Sequence, residues 1–156
     1  FEWEPVSQSL GWTDGLEGGG ERWLALAPPY AGAPREVTRS AGGLGRFAWT
    51  ARGTPFFSQS AEGGTQVRYF VVAPDGSARR LWEGAVKDVY SNPGSAVRRD
   101  GNRGPVLEVN RRVLLASDGL SAEGPQPHVD VLNLDSGEIE RVMTAPEGVY
   151  ERMVES

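Results

Sequence analysis

Short apolar runs alternate with polar, glycine- and proline-rich turns along the whole chain, and no segment keeps an apolar stripe at helical spacing. Three segments share one pattern. They read RWLALAPPYAGAPREVT at 22–38, RYFVVAPDGSARRLWE at 68–83 and HVDVLNLDSGEIERVM at 128–143. Each is an apolar strand, a turn rich in Pro, Asp and Gly, and a second strand of mixed polarity. Asp75-Gly76 and Asp135-Ser136-Gly137 are hairpin signals, because glycine tolerates the positive φ of tight turns. Tyr69 and Val71 alternate with Phe70 and Val72, so this strand is expected to be covered on both faces. In the third hairpin Glu138 and Glu140 alternate with Ile139 and Arg141, which predicts one wet face.

Another apolar stretch precedes the second and third hairpins: GRFAWTARGTPFFSQS at 45–60 and GPVLEVNRRVLLASDG at 104–119. That makes about four strands per unit. A repeat of ~40–45 residues with four short strands is the mark of a β-propeller blade. The expected fold is all-β: a propeller segment of about three four-stranded antiparallel blades, at about 1–40, 44–84 and 104–144. The longer third interval places its excess in two loops, 84–105 and 117–127, which are expected on a rim where binding surfaces gather. Propellers close with more blades than three, and three alone leave sheet edges open. The chain therefore reads as part of a larger propeller; a small open sandwich is the alternative.

Composition narrows the function. The chain has 156 residues, 21 Gly, 11 Pro, no cysteine and a net charge of −5. A disulfide scaffold and a thiolate metal site are excluded. Basic residues are almost all arginine and scattered, as at Arg79-Arg80, Arg98-Arg99 and Arg111-Arg112, which argues against nucleic acid as the partner. No apolar run nears the ~20 residues of a membrane span, so a soluble protein is expected. The first residue is Phe1 with no signal-like stretch after it, which suggests a processed or excerpted N-terminus.

The order of motifs resembles the N-terminal propeller of the glutamyl endopeptidase branch of the prolyl oligopeptidase (S9) serine peptidases. LALAPPYAGAPREVTRS at 24–40 is similar to that family's strand-turn-strand, and RFAWTARGTPFFSQS at 46–60 to its next strand pair. VVAPDGSARRLWEGAVKDVYSNPGSAVRR at 71–99 is the most specific match, and LASDGLSAEGPQPHVDVLNLDSGEIERVMTAPEGVYERMV at 115–154 resembles the following blade. The chain departs from the family at AEGGTQVRY, 61–69, with only Arg68 basic, and at the shortened SQSLGWTDGLEGGGERW, 7–23. The resemblance implies a cytoplasmic bacterial peptidase that cleaves after acidic residues. Its partners would be a peptide substrate and an α/β-hydrolase domain of the same protein. The nucleophilic serine of that domain lies in a G-x-S-x-G elbow, which does not occur here; NPGSAV and DGLSAEG lack the spacing. An independent propeller-type binding module is the rival. A sandwich hydrolase or lectin would need a metal or an acid pair.

Other candidate chemistry gives way to structural readings. His128, the single histidine, begins a strand with no nucleophile at motif spacing. Asp130, Asn133, Asp135 and Glu138 imitate a calcium loop but fall in a hairpin, so no metal or cofactor is expected. The glycine runs at 18–20 and 42–45 lack the Lys-Ser/Thr of a phosphate loop. Trp3, Trp12, Trp23, Trp49 and Trp82 are expected to fill the space between blades. The stretch KDVYSNPGSAVRRDGN at 87–102 is harder to reduce to structure. Asp88, Ser91 and Asn92 can hydrogen-bond their own backbone and Pro93-Gly94 sets a turn, which makes a self-capping loop. The functional alternative has Lys87, Asp88, Tyr90, Asn92, Arg98 and Arg99 facing a peptidase domain or a substrate carboxylate through charge-assisted hydrogen bonds.

Overall fold

The computed structural model describes residues 1–88, 90–101, 103–120 and 123–145. The chain is all-β and its strands form consecutive antiparallel sheets. Sheet 1 runs β1 (Glu2–Trp3), β2 (Leu10–Gly15), β3 (Glu21–Leu26) and β4 (Arg35–Ser40), in that spatial order. Sheet 2 is β5 (Arg46–Trp49), β6 (Pro55–Ala61), β7 (Gln66–Val72) and β8 (Ala78–Ala85). Two short pieces follow, β9 (Ser95–Ala96) and the hairpin of β10 (Arg98–Asp100) with β11 (Arg103–Val106). Sheet 3 is β12 (Glu108–Val109), β13 (Arg112–Ser117), β14 (His128–Asn133) and β15 (Ile139–Thr144). The three hairpins expected from the sequence are the third and fourth strands of the three sheets.

The repeat is visible in detail. In each sheet the pairing of third and fourth strands slips once, between Trp23 and Leu24, between Tyr69 and Phe70, and between Val129 and Asp130. Each slip follows the second residue of the shared motif that starts at Arg22, Arg68 or His128. A bulge there sharpens the twist of the outer strand at the same point in every blade-like sheet.

Sheet 2 is sandwiched, and its alternation shows why. Trp49, Phe57 and Val72 pack with Trp23, Ala25, Val37 and Leu44 in one buried cluster. The neighbouring residues Ala48, Phe56, Tyr69 and Val71 pack with Val106, Val113, Leu115, Leu132 and Leu134 in the other. Side chains alternate across a strand, so one sheet serves two interfaces only if both sets are apolar. Trp23 and Trp49 meet with ring centroids 4.6 Å apart, and Phe57 stacks on Phe70 at 4.8 Å. Trp49 and Trp23 thus fill the space between sheets 1 and 2.

The first strands converge. β1, β5 and β11 touch one another, and Thr50 forms a parallel bridge with Val106. The inner strand of sheet 3 is composite. β9 pairs with Leu115 and Ala116 of β13, while β12 pairs with Arg112 and Val113 farther along the same strand. The β10–β11 hairpin is an excursion between the two pieces. The Leu107 amide closes it by donating to the Val97 carbonyl at 3.0 Å, while the Val97 amide donates to the Leu114 carbonyl at 2.9 Å. Because the strands meander, the turns at 4–9, 27–34, 50–54, 73–77, 110–111 and 134–138 share one rim. The connections at 16–20, 41–45 and 62–65, residues 86–88 and 90–94, and the described residues 118–120 and 123–127 after β13 share the other. Among the described residues no helix is long and apolar enough to cross a membrane.

Candidate functional site: a cleft between sheets 2 and 3

Residues 87–88 and 90–98 lie between sheet 2 and sheet 3, and their own polar groups hold them. The Asp88 Oδ1 accepts the Ser91 amide at 3.2 Å, and the Asn92 Nδ2 donates to the Ala85 carbonyl at 2.7 Å. Gly94 has φ +86, and a Cβ there would lie 2.1 Å from the Ala116 carbonyl oxygen, so glycine alone fits. The Tyr69 hydroxyl donates to the Gly94 carbonyl. Burial pushes the Tyr69 phenol up to about 12, with Arg46 pulling the other way and Asp130 adding to the rise.

Sheet 3 grips the same segment from beneath. His128 is buried, with Nε2 donating to the Asn92 carbonyl at 2.6 Å and Nδ1 3.2 Å from the Gln126 carbonyl oxygen. Asp130, also buried, takes two hydrogen bonds from Arg141, Nε to Oδ1 at 2.8 Å and an outer nitrogen to Oδ2 at 3.2 Å. The remaining guanidinium nitrogen of Arg141 donates to the Tyr90 carbonyl at 2.7 Å. A buried carboxylate needs such a partner, and here the partner also fastens the loop. The Tyr90 hydroxyl donates to the Gly124 carbonyl at 2.9 Å, tying residues 90–94 to residues 123–127.

Beside this latch lies an open cleft of 370 Å³. Arg46, Phe56, Ser58, Tyr69 and Trp82 of sheet 2 line it, with Asn92, Ser95 and Arg98 opposite. Tyr69 and Trp82 stack with centroids 5.3 Å apart. Arg46 reaches the Ser95 hydroxyl at 3.3 Å, and Arg98 chelates both carboxylate oxygens of Glu2 at 3.0 Å. Among the described residues no acidic side chain lines the cleft. An aromatic wall beside the Arg46 guanidinium, with Arg98 already held by Glu2, suits a side chain with an apolar stem and an anionic head. Its volume lies in the range of small-ligand sites, ~300–1,000 Å³.

The six residues singled out by sequence divide as follows. Asn92 and Arg98 line the cleft; Asp88 and Tyr90 staple the loop above it; Lys87 and Arg99 lie outside its lining. The cleft residues Arg46, Tyr69 and Trp82 were not among them. They are far from the loop in sequence, and only the doubly apolar pattern of β7 hinted that Tyr69 faces a neighbour. Among the described residues no base stands beside Ser58 or Ser95, and the histidine is committed to backbone carbonyls. Asp130 belongs to Arg141, and Asn133 Oδ1 accepts the amides of Asp135 and Ser136 in the hairpin turn. No group of three or more metal-ligating side chains occurs among the described residues.

Comparisons with known proteins agree with a peptidase link. No protein-family model matches the chain. It is 24% identical over 171 aligned residues, 96% of the chain, to "Probable glutamyl endopeptidase, chloroplastic" of Arabidopsis thaliana. It is 31% identical over 100 residues, 57% of the chain, to the protein of the same name from Oryza sativa subsp. japonica. The matched regions span only 18% and 11% of those two proteins.

Proposed function

We propose that this chain is the non-catalytic propeller part of an S9 serine peptidase, glutamyl endopeptidase-like, whose α/β-hydrolase domain lies outside residues 1–156. The observation that carries the reading is similarity along 96% of the chain to a probable glutamyl endopeptidase, in a chain built of three consecutive four-stranded meanders. The outer faces of the flanking sheets support it. Register puts Trp3, Leu10, Trp12 and Leu24 on the face of sheet 1 away from sheet 2, and Trp3 is 57% exposed. Val109 and Met143 are exposed on the outer side of sheet 3. Further blades would cover both faces. The role follows: a wheel of sheets above a hydrolase site admits short or unfolded peptides and excludes folded ones. The cleft beneath residues 90–98 is its docking point for a peptide or for the hydrolase domain.

The test is direct. The full-length protein is expected to hydrolyse a glutamate-containing peptide on the carboxyl side of glutamate, through a serine in a G-x-S-x-G elbow downstream. Residues 1–156 alone are expected to hydrolyse none. An open reading frame that adds blades and then stops would instead favour an independent binding module. Hydrolysis by purified residues 1–156 would refute both readings.

A further inference from the structure

On the opposite rim a second cleft opens among the turn tips of all three sheets, and we infer that it binds an acidic polypeptide segment, gripped by Arg35 and Arg52. Its volume is 770 Å³. Arginines line it from three sheets: Arg35 on β4, Arg52 in the β5–β6 turn, Arg79 on β8 and Arg111 in the β12–β13 turn. No two of them come from one turn, so tertiary structure alone assembles the set, in a chain whose net charge is −5.

The acidic residues of the lining are already engaged. Glu4 is buried and accepts the Val6 amide at 2.8 Å, together with the amide and hydroxyl of Ser7. Glu36 is bound by Arg39 through two contacts of 2.6 Å, and the Arg39 hydrogen bond holds its carboxyl below the ordinary value. Asp75 accepts the amide and hydroxyl of Ser77 within its own turn. Arg79 donates to the Leu134 carbonyl at 2.5 Å, and Arg111 to Asp135 and the Thr54 hydroxyl at 3.0 and 3.2 Å. Arg35 and Arg52 have no ion pair among the described residues. Glu4 and Asp75 keep their charge but are held within their own turns, and Glu36 is held by Arg39, so none of the three pairs with the exposed Arg35 and Arg52.

Backbone strain supplies a second observation. Asn110 and Arg111 have φ +52 and +62, the pattern of a type I′ turn. Its second position favours glycine, yet an arginine occupies it and reaches across to Thr54 of the next sheet. These contacts to Asp135 and Thr54 hold the strained turn and fix Arg111 as one wall of the cleft. The floor chooses the ligand class. Pro55 and Pro74 line it above the buried Val37, Trp49 and Val71, giving a shallow apolar bed with cationic walls. That suits a peptide carrying acidic and apolar side chains, recognised as arginine clusters recognise acidic motifs.

This inference does not depend on the peptidase reading. The probes are a fluorescein-labelled octapeptide of alternating Glu and Leu and its Gln-Leu counterpart, titrated by anisotropy into the full-length protein after treatment with a glutamyl phosphonate ester, which covalently fills any serine-peptidase site and leaves the rim cleft open. The acidic peptide is expected to bind at least tenfold more tightly. Arg35→Gln with Arg52→Gln should bring the two peptides within twofold, while Arg22→Gln, at the other end of sheet 1, should leave the preference intact. If circular dichroism shows the double variant unfolded, Arg35→Lys with Arg52→Lys replaces it; losing the forks is then expected to weaken binding at least threefold. Equal affinity for the two peptides, or an acidic preference unchanged by the folded double variant, would overturn the inference. Peptide hydrolysis, measured separately, is expected to survive the loss of this binding, so the two readings fail independently.

Discussion

Placing a methyl group at Gly11, by substitution with alanine, is expected to push sheets 1 and 2 apart. Gly11 lies on β2, where an added Cβ would stand 2.2 and 2.5 Å from two ring atoms of Trp49 and 2.8 Å from Trp23 Nε1. These rings are buried in the interface between the sheets and cannot swing away into solvent. Overpacking of this kind costs roughly 1–3 kcal/mol. Gly15, on the same strand, meets nothing within 4 Å and supplies the control. There alanine should stabilise by about 0.4–1 kcal/mol through the unfolded chain. For a domain of this size each kcal/mol moves the midpoint by about 2–4 °C. Gly11→Ala should therefore melt several degrees lower than the parent, and Gly15→Ala slightly higher. Trp49→Phe removes the outer ring atoms that the new methyl would strike. Gly11→Ala should then cost less in that background, with a coupling of about 1 kcal/mol in a double-mutant cycle read by urea unfolding. If Gly11→Ala and Gly15→Ala behave alike, the packing of sheet 1 on Trp49 is wrong.

Further outcomes test the cleft. The raised Tyr69 phenol, at about 12 against an ordinary 10, stabilises the fold fully below pH 10 and loses that contribution as pH climbs through 12. Two units correspond to roughly 2–3 kcal/mol, so urea midpoints of the parent should fall over this window, and Tyr69→Phe should flatten the fall. Gly94→Ala would combine a positive φ with a backbone clash. It should destabilise by about 3 kcal/mol or more; a neutral effect on thermal melting would contradict the described turn. Arg141→Met strips Asp130 of its ion pair and Tyr90 of a donor. A loss of about 2 kcal/mol is expected, discounted because Arg141 is partly exposed, with faster amide exchange at 90–94. Unchanged exchange there would show that the loop does not depend on this latch.

The hairpins were readable because their signals are local. Asp75-Gly76 and Ser136-Gly137 sit between apolar runs of the right length, and the double alternation of Tyr69 to Val72 announced a strand with neighbours on both faces. The composite inner strand of sheet 3 was not readable. β9 is two small residues, Ser95 and Ala96, held by pairing to the distant Leu115 and Ala116, and nothing in their side chains encodes it. The loop's own caps at Asp88 and Asn92 were legible from residue type. Its anchors, Arg141 and His128, were not, because their partners in the loop are backbone carbonyls. The two arginine-lined clefts were hidden because they too depend on tertiary contacts. Scattered arginines in sequence converge only when sheets stack.

Whether these sheets are consecutive spokes of a larger wheel is decided by a structure of the full-length protein from electron cryo-microscopy. Another four-stranded sheet is expected on each flank, covering Trp3 and Trp12 on one side and Val109 and Met143 on the other, with all inner strands around one axis. Three sheets standing alone, or flanks covered by helices, would contradict it.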